Sequence, residues 1–147
     1  MKKTALALLV CCLLALCRTS PAEMSGPQRE VDLDLTLMSG TVVYAQVSNM
    51  LYDAQPYLGK ILRISGEYSP YEDRERGVVY HSCVIADATA CCAQGLEFVW
   101  AGQHAWPGDY PEEGTGCVVT GRLEAYDEDG DTYLHLVDAQ VVWEAAP

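Results

Sequence analysis

Beyond Gly59 the apolar residues no longer recur at helical spacing; they fall on every second position. Residues 60–68 set Leu62, Ile64, Gly66 and Tyr68 against Arg63, Ser65 and Glu67, and comparable alternation returns at 77–86, 95–101, 117–126 and 132–143. Side chains of a strand point alternately to its two faces, so each run can bury only one of them. Five short strands separated by turn-rich segments, with one long connection between the third and fourth, predict a mainly β, five-stranded Greek-key barrel.

Upstream the period is different. Val43, Val47, Met50, Leu51 and Ala54 recur at intervals of three and four, which predicts one amphipathic α-helix over residues 41–53. Ser39 stands where it can cap that helix, and Pro56 where the helix has to stop. Ahead of it, residues 23–38 read as a tether whose alternating part, 31–37, can form a short edge strand. The first 22 residues read as a signal peptide, because Lys2 and Lys3 precede an unbroken apolar run of 13 residues, 5–17, too short to cross a bilayer. Two processing routes are open. Leu14-Ala15-Leu16-Cys17 resembles a bacterial lipobox, which would lipidate Cys17 and attach the chain to a membrane; a cut after Ser20-Pro21-Ala22 would release it. On either route the chain is expected to be exported, extracellular or anchored to the outer face of the cytoplasmic membrane, with residues 39–147 as its folded domain.

Charge narrows the partners. Three of the nine Lys and Arg precede residue 23 and none of the 21 Asp and Glu does, which leaves residues 23–147 at −15. Phosphate recognition needs clustered cations, and the sequence has no such cluster, so a nucleic-acid partner is not expected.

Tyr57-Leu58-Gly59-Lys60 leading into 61–66, then Gly116-Cys117-Val118-Val119-Thr120-Gly121 and the run 133–141, resemble the first, fourth and fifth strands of bacterial OB-fold proteins of the anticodon-binding-like type. Residues 40–143 as a whole are similar to small exported bacterial proteins of that class. The resemblance implies an OB-like barrel preceded by a helix, serving as a binding or accessory module. The acidic balance speaks against the nucleic-acid ligand that many such barrels take.

Four cysteines follow the leader: Cys83, Cys91, Cys92 and Cys117. If the second and third strands join through Asp87-Ala88-Thr89-Ala90, Ile85 faces Cys92 and Cys83 faces Gln94. Period two then gathers His81, Cys83 and Cys92 on the inner face, turns Cys91 outward, and puts Cys117 among the inner residues of the fourth strand. Cys83 and Cys92 would be diagonal neighbours with Cα atoms ~7 Å apart, wider than the ~5.5–6 Å a disulfide prefers. Three readings stay open. They are disulfides, whose pairing the spacing does not give; a structural or sensory zinc site drawn from Cys83, Cys92, Cys91, His81 and Cys117; and buried thiols.

The remaining motifs are plainer. His104 reads as a solvated loop residue and His135, between Leu134 and Leu136, as an ordinary strand histidine. Asp127-Glu128-Asp129-Gly130-Asp131 reads as a hairpin turn, since the bidentate Glu of a calcium loop is missing and Asp-Gly between alternating runs signals a turn. Trp106 and Tyr110, in the connection 102–115, are expected to fold over the barrel end. No Gly-x-Ser-x-Gly, His-Glu-x-x-His or phosphate-cradling glycine loop occurs. The expectation is a non-catalytic binding or accessory module of the cell envelope, its ligand undefined. The alternative is a metal-binding or metal-homeostasis protein using Cys83, Cys91 and Cys92, and the third reading is a thiol oxidoreductase.

Overall fold

A computed structural model describes residues 30–86 and 92–145. The described residues are mainly β, with one helix and six strands in a single sheet. In chain order these are β1 (Leu33–Asp34), a 3-10 turn (Leu35–Leu37), α1 (Gly40–Tyr52), β2 (Ile61–Asp73), β3 (Val78–Ala86), β4 (Ala93–Trp100), β5 (Gly116–Glu128) and β6 (Asp131–Trp143). All five alternating runs are strands. The expected count of five is corrected to six by β1, which comes from the alternating part of the segment read as a tether. Asp32 exchanges two hydrogen bonds with Ile61, N–H to O at 2.9 Å and Ile61 N–H to Oδ2 at 2.7 Å. The chain then runs parallel to β2 through Leu33↔Leu62 and Asp34↔Arg63, and Leu35 drops fully into the core.

Helix α1 follows its apolar stripe. Val43, Val47 and Met50 are buried, as the spacing predicts, whereas Leu51 sits at the margin of the stripe and is 48% exposed. Ser39 occupies the N-cap through its backbone, accepting from Val42 and Val43 N–H, and its hydroxyl makes no cap bond. The helix ends before Pro56, where Asp53 N–H closes on Asn49 O at 2.8 Å.

The sheet turns on β2. Its first half pairs antiparallel with β5, from Ile61↔Arg122 to Glu67↔Gly116, and its second half with β3, from Glu67↔Val84 to Asp73↔Val78. The changeover falls at Glu67, directly after Gly66. A Cβ on Gly66 would run into Val84 O and stand 3.0 Å from Cys83 Sγ, so the missing side chain is what lets the neighbouring strands crowd in. β3 then pairs with β4, β4 lies parallel to β6, and β6 returns antiparallel to β5 across a two-residue Asp129-Gly130 turn. That turn is the hairpin read from Asp-Gly. Between them these strands bury Leu62, Ile64, Tyr68, Leu96, Leu123 and Leu136 completely.

One register differs from the expectation. Ile85 faces Gln94 and Cys83 faces Leu96, two positions beyond the pairing inferred from a short turn. The ladder ends at Ala86↔Ala93, and residues 87–91 lie outside the described residues. A two-residue shift preserves which face each side chain occupies. It is favoured by Gly95, which sets no side chain against β3 where a Cβ would come within 2.7 Å of Cys83 O, and by Gln94, whose amide oxygen accepts from Ser48 of α1 at 2.6 Å.

Candidate functional site

β3 and β4 are paired only from Ser82↔Glu97 to Ala86↔Ala93. Past that point residues 78–81 stay with β2, while β4 is taken up by β6 through Glu97↔His135, Phe98↔Leu136 and Trp100↔Ala139. The strands separate, and the split opens a groove of about 400 Å³. Val78 to His81 form one wall, Glu97 to Trp100 the other, and Tyr110 and His104 reach in from the long connection.

The groove is built over a network of rings. Tyr68, completely buried on β2, shares a hydrogen bond of 2.7 Å between its hydroxyl and Nδ1 of His81. Burial raises the Tyr68 phenol well above its ordinary value, with Tyr110, Cys117 and Glu113 adding to the effect, and burial lowers His81, so both partners favour their neutral forms. Tyr110 lies flat on His81 at 4.0 Å and edge-on to Trp100 at 5.4 Å. Trp100 in turn carries His104 face to face at 3.5 Å. Trp106 completes the cover, 5.6 Å from His81 and 5.7 Å from Tyr110. Both aromatic residues of the connection thus fold back as expected. His104 is exposed yet stacked, and it bonds Ala101 O through Nε2 at 3.1 Å. Beneath them Trp143 Nε1 is buried with no hydrogen-bond partner among the described residues.

The polar side of the groove centres on Glu97. Its Oε2 accepts from the Tyr126 hydroxyl at 2.6 Å, and Tyr126 packs on His135 at 4.6 Å and on Tyr133 at 5.5 Å. The Tyr126 phenol is raised by burial and then by Glu97, while burial lowers His135 against an opposing push from Glu97. Tyr80, Glu97 and Tyr126 also wall a second cavity of about 350 Å³. There Tyr80 donates to both oxygens of Glu128 at 2.8 Å, and Arg76, from the β2–β3 turn, holds Glu128 at 3.0 Å together with Asp129 of the β5–β6 turn.

The cysteines are placed elsewhere. Cys83 and Cys117 are fully buried on the two strands that flank β2, Cys83 Sγ beside Gly66, and the two thiols perturb each other's ionisation. Cys117 and burial push Cys83 up, while Cys117 is lowered by Cys83 against its own burial. Cys92, expected inward beside Cys83, is corrected: it is exposed, because the shifted register carries it past the last ladder pair. Cys91 and Cys17 lie outside the described residues. His81 shares an inner face with Cys83, as expected, but spends Nδ1 on Tyr68. Among the described residues no three of His, Cys, Asp and Glu stand together as a metal-holding group.

Glu97, Tyr126, Tyr80 and Trp100 were not singled out by sequence. Glu97 and Tyr126 are 29 residues apart and meet only because β6 lies between their strands. A usable signal existed in the outward positions of the alternating runs, where Tyr80, Val99, Tyr126 and Tyr133 stand in places solvent-facing strands usually give to polar residues. Comparison with known proteins brings no relative: no family model, no curated protein and no solved structure matches the chain.

Proposed function

We propose that the chain is an exported, non-catalytic binding or accessory module of the cell envelope, built as an OB-like barrel and holding its ligand in the groove between β3 and β4. The pairing series β2–β3–β4–β6–β5, with β5 meeting β2 again and β4 parallel to β6, supports the barrel reading. The observation that carries the functional reading is the split itself, which makes a concave site of about 400 Å³ with aromatic walls and a few converging polar groups. Its polar atoms are held for recognition rather than turnover, since His81 is fixed by Tyr68 and Glu97 by Tyr126. Among the described residues neither Lys nor Arg lines it, in keeping with a ligand other than nucleic acid.

The test is amide and side-chain chemical-shift mapping of the full chain against a panel of soluble glycans, amines and short peptides. Binding compounds are expected to move Tyr80, Glu97, Trp100 and Tyr126 first. Shifts that concentrate instead around Arg63, Thr120 and Gln140, which line a separate cavity of about 370 Å³, would overturn this placement.

A further inference from the structure

We infer that the groove selects a small organic ammonium ion, its charged head against Glu97 and its alkyl groups against the rings of Tyr80 and Tyr126. The inference rests on the reading of this groove as the ligand site and adds the chemistry of the ligand. Among the described residues Glu97 is the sole carboxylate that lines the groove, and no Lys or Arg lines it in answer. The nearby cation Arg76 belongs to the adjoining cavity and is engaged there by Asp73, Glu128 and Asp129.

The carboxylate is also half satisfied. Oε2 takes the Tyr126 hydroxyl at 2.6 Å, and Oε1 has no donor among the described residues. A partly buried carboxylate with an open oxygen favours an incoming donor that carries positive charge. The two half-buried imidazoles at the groove, His81 and His135, do not supply it, because burial keeps both neutral near pH 7. Beside the carboxylate stand Tyr126, which bonds it, and Tyr80, which lines the groove with it, and the faces of such rings attract alkylammonium groups more than neutral groups of the same shape. A metal ion would need further ligands of the same kind; an ammonium ion needs one carboxylate and ring faces.

The experiment titrates choline and its uncharged isostere 3,3-dimethylbutan-1-ol into the full chain at low salt, followed by chemical shifts at the groove and by calorimetry. Choline is expected to bind about tenfold or more tightly than the isostere, and Glu97→Gln to lose about that factor. Thermal melting of the variant shows whether it is folded, and the choline-to-isostere ratio of the unsubstituted chain stands without any variant. Equal affinities would overturn the ammonium preference and leave the groove as a binding site. A groove that answers other compounds of the panel but neither of these two overturns this inference alone, whereas a groove silent to the whole panel overturns the reading beneath it.

Discussion

His81 and Cys83 are neighbouring inward positions of the same strand, yet they occupy opposite kinds of environment. At Cys83 the strand is flanked on both sides, by Tyr68 of β2 and Leu96 of β4, and the thiol is sealed against Cys117. At His81 the partner on the β4 side has gone, and a tyrosine from a loop takes its place. The inward face of a strand is thus core or site according to whether the next strand is still paired with it. Where backbone pairing persists, side chains lose solvent; where it stops, rings from a connection can cover the gap without filling it.

The sealed side should be the more sensitive. Gly66→Val forces a branched side chain against Val84 O and the thiol pair, and should lower the unfolding free energy by about 3 kcal/mol. Urea denaturation measures it, and a loss under about 1 kcal/mol would mean that the crowding at β2 relaxes easily. On the open side, Tyr110→Ala removes the ring stacked on His81 and should cost only about 1 kcal/mol. The same change should weaken any groove ligand more than it weakens the fold. Equal destabilisation by the two substitutions would erase the distinction between core and site.

The smallest effect expected is one of pH. Burial places the folded pKa of His81, and of His135, below the unfolded value. Between those two values the unfolded chain holds more protons, so stability is whole above about pH 6.5 and declines as pH falls toward the folded pKa. Melting temperatures measured down from pH 7.5 should show that decline, and His81→Gln should flatten part of it. An unchanged slope in the variant would assign the whole dependence to other groups.

How much of this could be read from residues alone follows from which contacts are local. Strand existence was legible because alternation is a local pattern, and so was the Asp129-Gly130 turn, where chemistry and conformation coincide. The β3–β4 register was not. It depends on Gly95 meeting Val84 and on Gln94 reaching Ser48 of the helix, contacts set by tertiary packing that no short-turn rule contains. The inward placement of Cys83 and Cys117 in one interior cluster came through, because face is preserved by an even shift, but the way β2 brings their two strands together did not. The groove was the least legible part. Glu97, Tyr126 and Trp100 acquire their meaning only from where pairing ends, and alternation reads the same in a strand that is paired and one that is not.

The two-residue strand β1 has a mechanical consequence. Tension applied from the N-terminal side would first meet the Asp32–Ile61 bonds and the parallel pairs Leu33↔Leu62 and Asp34↔Arg63, loaded in shear rather than peeled one at a time. Behind them Leu35 is seated in the core as a stop. A domain held by that end would pass the load into β2, the strand that also meets β3 and β5, and away from the split where β3 leaves β4.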